Sequence, residues 1–209
     1  MAASDYHFTT TWRVEGTVAE VRAILGDAAG LPRWWPAVCL SVQEIAPGGP
    51  DGVGKTFVLH TKGWLPYTLR WQCCVTEAAP DRLAVQATGS FAGTVVWTFI
   101  QAGPEVDVVC AWAMRAQRRL LRWFAWLLRP VCVANHTWAM RQGEISLRLE
   151  LARRRTSDDE ARSHIPDPPG PTPASFGLLL LSPFLVAAAV LVIAGIRRLP
   201  SGEKNGDTR

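Results

Sequence analysis

The chain has 209 residues, of which 48% are hydrophobic and 19% charged, with a formal net charge of +4. That apolar content argues against a disordered polar chain, and roughly 155 residues ahead of the C-terminal tail are enough for one domain with a proper core. Five cysteines, odd in number and without CxxC spacing, argue against a disulfide framework and point to a reducing setting.

The charge is unevenly placed. Residues 1–114 carry seven Lys and Arg against ten Asp and Glu, a net of −3, whereas residues 115–155 carry ten Arg against two Glu, a net of +8. Such a basic stretch suits a solvated helix face or an anionic membrane surface. No nucleic-acid motif accompanies the arginines, so no nucleic-acid partner is expected. The opening MAASDYHFTTTWRVEG lacks a basic start followed by an apolar run, so no export signal is expected there.

In chain order, residues 6–14 read as a half-buried strand. Tyr6, Phe8, Thr10, Trp12 and Val14 alternate with His7, Thr9, Thr11 and Arg13. Thr17 can cap a short helix, TVAEVRAILGD, with Glu20 completing a capping box. Gly30 and Pro32 break it. The next piece, LPRWWPAV, allows a single turn carrying Trp34 and Trp35. Short strands are expected over 38–45, 55–61, 67–75, 82–88, 94–100 and 106–114, parted by turn-forming residues such as PGGPDGVG and QAGPE. In the clearest of them Tyr67, Leu69, Trp71, Cys73 and Val75 share one face, and Thr68, Arg70, Gln72 and Cys74 the other. The connections are hairpin-length, so the sheet of about seven strands should be antiparallel.

After Met114 the pattern becomes helical until about Arg155, and Pro130 should kink or divide it. Ala134, Trp138, Ile145 and Leu149 form one apolar stripe; Met140, Leu147 and Leu151 form another, nearly opposite. A surface helix needs only one stripe. The second calls for a further apolar partner: a cavity ligand, another subunit or the short N-terminal helices.

Residues 156–175 are polar and proline-rich and read as a semi-extended linker. Residues 176–196, FGLLLLSPFLVAAAVLVIAGI, open on Phe176, close on Ile196 and hold no charge. At a rise of about 1.5 Å per residue they can cross a hydrocarbon core of about 30 Å, so a transmembrane helix is expected there. Pro183 is no obstacle to a span. Residues 197–209 form a polar tail. The expected organisation is a domain over 1–155, facing the cytoplasm, tethered to a membrane through 176–196.

The order strand, helices, six strands, long helix matches the helix-grip architecture, an α+β fold in which a curved antiparallel sheet wraps a terminal helix. Three blocks carry the resemblance: DAAGLPRWWPAV, GVGKTFVLHTKGWLPYTLRW and NHTWAMRQGEISLRLELARR. They resemble a bacterial, membrane-anchored branch of the START-like superfamily, the polyketide cyclase/dehydrase-like or SRPBCC proteins. The likeness covers roughly residues 6–155. It implies an apolar cavity between sheet and long helix. It would also place an acidic residue after Gly89, followed by Gly-x-Gly; this chain has Ser90 and Gly93-Thr94-Val95 instead.

An apolar small molecule or lipid is therefore the expected partner, and no cofactor or metal is expected. Trp71, Tyr67, Trp97, Phe99, Trp112, His60, Asn135 and Trp138 are the candidate ligand-binding residues. Aromatics at alternating strand positions can line a pocket or simply fill a core. His136, just after Pro130, could move a proton near neutral pH, and Arg70 could polarise a substrate; these are the candidate catalytic residues. No nucleophile motif, phosphate loop or metal-ligand spacing is present. Three functions remain open: binding or transport of an apolar molecule, a cyclase- or dehydratase-like reaction in the same cavity, and a membrane-bound interaction module whose partner contacts the basic segment Arg115–Arg129.

Overall fold

The computed structural model describes residues 5–65, 67–89, 91–116 and 125–173. Strand β1 (Asp5–Glu15) is followed by α1 (Val18–Leu25), a 3-10 turn at Ala28–Gly30 and the one-turn helix α2 (Leu31–Trp34). Six strands follow: β2 (Cys39–Ala46), β3 (Thr56–Lys62), β4 (Thr68–Ala78), β5 (Arg82–Gly89), β6 (Phe91–Ala102) and β7 (Glu105–Ala116). The long helix α3 (Ala125–Arg155) and the short α4 (Asp159–Ser163) complete the described elements.

The strands form one antiparallel sheet in the order β1-β7-β6-β5-β4-β3-β2. Every pairing is a hairpin between chain neighbours except β1 with β7, which brings the first strand beside the last. Register shifts between Cys39 and Ser41, Glu44 and Ala46, and Val75 and Glu77 mark irregularities that bend the sheet. Trp12 and Val14 are buried while Thr11 and Arg13 are exposed, as the alternation of β1 requires.

Helix α1 begins as the sequence indicates. The Thr17 side chain accepts from the Glu20 backbone N–H, and Glu20 accepts from the Thr17 N–H at 2.8 Å. Glu20 also receives two hydrogen bonds from Arg155, at 2.8 and 2.9 Å, which ties the start of α1 to the end of α3.

Helix α3 lies against the concave side of the sheet. Met140, Leu147 and Leu151 are its buried stripe, whereas Ala134 and Ile145 are exposed and Trp138 packs half-buried against the core. Gly143 sits where α3 comes nearest to the tryptophans. A Cβ there would stand 2.6 Å from Cζ2 of Trp35 and 2.8 Å from Cη2 of Trp12.

Two expectations need correction. Pro130 does not divide the helix, which runs unbroken from Ala125 to Arg155. One missing N–H near the start is outweighed by the many packed turns that follow. The linker is not extended throughout either: Asp158 caps α4 by accepting from the Glu160 N–H at 3.1 Å. The expected transmembrane stretch, 176–196, lies outside the described residues. Among the described residues, no helix is long and apolar enough to cross a membrane.

Candidate functional site

On the helix-covered side of the sheet the interior holds two compartments, one lined in part by α3 and the other by α1, α2 and the sheet. The outer one, about 130 Å³, is lined by Phe8, Val38, Thr61, Lys62, Gly63, Tyr67, Leu69, Trp71, Trp112, Met114, Cys132, Asn135, His136 and Ala139. The inner one is about 170 Å³. Its walls come from α1, α2 and the sheet, including Leu25, Leu31, Trp35, Phe57, Leu59, Val85, Val95 and Trp97. Val38, Thr61, Trp71, Trp112 and Met114 line both. Each compartment is close to the size of a cavity that takes one benzene ring, about 150 Å³.

The partition rests on two tryptophans. Trp71 on β4 and Trp112 on β7 meet edge to face, with ring centroids 6.1 Å apart. Trp71 donates its indole N–H to Thr61 Oγ1 at 2.7 Å, which fixes its ring. Trp112 donates to Cys110 Sγ at 3.0 Å.

His136 belongs to this aromatic wall. Its ring stacks on Phe8 with centroids 4.3 Å apart and meets Trp112 edge-on at 5.2 Å. Burial among these rings lowers its pKa from 6.5 to about 4, so the imidazole is neutral at pH 7. Its Nε2 is buried and has no hydrogen-bond partner among the described residues. Polar atoms of that kind are rare in folded interiors, and this one lies beside an apolar pocket. Asn135 has a different task. Its Oδ1 accepts from the Leu65 N–H at 3.4 Å, and a Cβ on Gly63 would collide with the same oxygen. The residue thus seats the β3–β4 loop at the open end of the outer compartment.

The far end of the groove is packed rather than hollow. Trp34 stacks on Trp35 at 5.6 Å, Trp35 meets Trp12 at 5.7 Å, and Trp12 lies 5.1 Å from Trp97. Helix α2, which supplies Leu31 and leads into Trp35, is clamped from outside. Arg33 donates twice to Glu150 on α3, both at 2.8 Å, and Arg154 donates to the same carboxylate at 2.7 Å. Burial pushes the Glu150 carboxyl up, but the two guanidinium groups outweigh it and hold it below the ordinary carboxylate range.

Five of the ten sequence candidates line the outer compartment: Tyr67, Trp71, Trp112, Asn135 and His136. Trp97 lines the inner one. Phe99 is buried in the core and lines neither, and the half-buried Trp138 lines neither. His60 and Arg70 are directly opposed across β3 and β4. Each alternates with pocket-lining neighbours, Leu59 and Thr61 for one, Leu69 and Trp71 for the other. Their side chains therefore point to the outer face of the sheet, away from the cavity. A catalytic role for Arg70 and a ligand-binding role for His60 lose their geometric basis.

Sequence reasoning missed Phe8, Met114 and Cys132. Phe8 and Met114 carried a signal, because each falls on the same face of its strand as a named tryptophan; Cys132 carried none. Among the described residues, no carboxylate lines either compartment. Burial pushes the Cys39 and Cys110 thiols up, so neither is a ready nucleophile.

Comparison with solved structures follows the same geometry. A protein from Thermus thermophilus superimposes with a TM-score of 0.60 at 15% identity, covering 72% of this chain and 100% of its own. The Zhui aromatase/cyclase from a Streptomyces species gives 0.59 at 15% identity, covering 73% of this chain and 97% of its own. The chain shares the helix-grip fold of these proteins. A START superfamily protein from Mycobacterium smegmatis gives 0.51 at 13% identity, covering 64% of this chain and 93% of its own. No protein-family model matches the chain, and no curated protein matches it in sequence. At such identities the START-like likeness concerns the fold.

Proposed function

We propose that this START-like domain binds an apolar small molecule or lipid in the groove between the sheet and the helices that cover it, with a ring-sized part in each compartment, and that residues 176–196 tether it to a membrane. The observation that carries the binding reading is the pair of apolar compartments sharing the Trp71–Trp112 wall, next to the unpartnered Nε2 of His136. A ligand hydroxyl or carbonyl reaching His136 Nε2 would satisfy that atom, while the rest of the ligand replaces empty space with apolar contact. The tether reading is supported by the uncharged length of 176–196 alone.

Mass spectrometry of the full chain, gently extracted in detergent, tests the binding reading. A co-purified apolar molecule, or saturable binding of a member of a lipid, quinone and flat-aromatic panel, is the expected result. An empty groove with no binding across that panel contradicts it.

A cyclase-like reaction is the second reading. It is favoured by His136 and Tyr67 lining the same compartment. The aromatase/cyclase among the similar folds adds analogy only. Turnover of a polyketide-like substrate that His136→Ala abolishes would favour it; an unchanged rate in that variant would remove it.

A further inference from the structure

The proline-rich segment after α4 is pinned to the domain at two places. Arg153, near the end of α3, donates to the Ile165 carbonyl at 3.4 Å, to the Pro166 carbonyl and to Asp167 at 3.4 Å. Thr172 is held at the other end. Its carbonyl accepts from Lys62 Nζ, and its hydroxyl donates to the Gly63 carbonyl at 3.3 Å. Ile165, Pro168, Pro169 and Thr172 are half-buried. The segment is therefore a strap that returns from the end of α3 to the β3–β4 loop, and a proline-rich chain holds such a course with little entropy to lose.

The place where the strap arrives matters. Lys62 and Gly63 line the outer compartment, and Tyr67, 45% exposed, stands on its open rim. Only residues 174 and 175 separate Pro173 from the apolar run. At no more than about 3.6 Å per residue, the run begins within roughly 11 Å of the strap's end. The headgroup layer on one side of a bilayer is about 5–8 Å deep. The rim also carries a cation and, among the described residues, no carboxylate: Lys62 lines the compartment.

We propose that the strap holds the open end of the outer compartment against the bilayer surface, so that an apolar ligand passes between the acyl phase and the groove without crossing water. This rests on the reading of 176–196 as a membrane span and of the groove as a binding site. The occupant of the rim is the lipid surface.

The test uses the full chain in vesicles of phosphatidylcholine and phosphatidylglycerol, with a benzophenone amino acid replacing Tyr67. The control carries it at Ile100, which is 51% exposed and lies at the opposite end of the sheet beside the β6–β7 turn. Light should give lipid adducts at position 67 several-fold above those at position 100, read by mass spectrometry. An insertion of about ten Gly and Ser residues after Pro173 frees the domain to move by roughly 18 Å and should bring the two yields together. Equal yields in the uninterrupted chain overturn the proposal, and so does release of the chain from vesicles by alkaline carbonate. Saturable binding of 2-naphthol, measured on the same protein in detergent, separates the two claims. Adducts at position 67 without naphthol binding uphold the orientation and count against the groove as a binding site.

Discussion

Arg33 meets Glu150 through two parallel hydrogen bonds of 2.8 Å, one from each terminal nitrogen. The carboxylate is 1% exposed and the guanidinium 58%, so an exposed cation covers a buried anion. The pair joins α2 to α3 and so closes the inner compartment, since Leu31 and Trp35 of the α2 region form part of its wall. Removing Arg33 leaves the carboxylate with Arg154 alone. Arg33→Ala should cost about 2–4 kcal/mol in urea unfolding, and Trp35 should become accessible to acrylamide. Arg33→Lys should recover only part of this, because an ammonium cannot make both bonds. A loss below about 0.5 kcal/mol would show that the clamp does not hold α2.

Gly143 tests the packing of α3 on the tryptophans. Alanine is the better helix former by about 1 kcal/mol. Its Cβ would nonetheless crowd Trp35 and Trp12 at 2.6 and 2.8 Å, and both rings are buried. Gly143→Ala should destabilise by about 1–3 kcal/mol, measured by denaturant unfolding, with a change in tryptophan emission. A stabilised variant would mean that α3 stands further from the sheet.

Much of this was legible in advance. The period-2 alternation of β1 and β4 marked their two faces, and the turn residues marked every hairpin; the pairing of β1 with β7 was not legible, because it joins the first strand to the last. The capping box at Thr17 and Glu20 is local and appears as written. On α3, Asn135 and His136 were singled out by their polarity, and on the sheet the site was legible where a residue's face could be read along its own strand, as for Tyr67, Trp71 and Trp112. His60 and Arg70 sat on the opposite face by the same rule, and their polarity drew attention that the pleat did not justify. Glu150 was not legible at all. It lies on the buried stripe one turn from Leu147, and its partner Arg33 is 117 residues away in the chain. The strap was equally hidden, because composition reports that a proline-rich segment is stiff but not what it leans on.

His136 makes a prediction about pH. Its pKa in the folded chain is about 4, against an ordinary 6.5. Between those values the unfolded chain binds a proton that the native one refuses, so stability must fall as pH drops from about 6.5 to about 4. The Glu20 carboxyl, held at about 2 chiefly by its Arg155 hydrogen bonds, adds its own loss only at lower pH, as it is protonated below 4.5. His136→Phe should therefore flatten the slope of unfolding free energy between pH 6.5 and 4, the window set by the His136 shift. An unchanged slope would show that the ring is solvated in the native state.

Trp112 separates the compartments, and shortening it should join them. Trp112→Ala is expected to shift preference in a homologous series of aromatic ligands toward longer members, by roughly tenfold in relative affinity. It should also cost about 3–5 kcal/mol of stability, so the comparison belongs at low temperature. An unaltered preference order would place the ligand in one compartment only.

The central claim is that the groove admits an apolar guest. Ala139 on α3 lines only the outer compartment of the two, where a larger side chain would fill the space a guest needs. Calorimetric titration of 2-naphthol into the full chain and into Ala139→Trp, both in detergent, tests this directly. The account predicts saturable binding, one molecule per chain, weakened roughly tenfold or more by the tryptophan. Equal affinities in the two proteins, or no saturable binding in either, would contradict it.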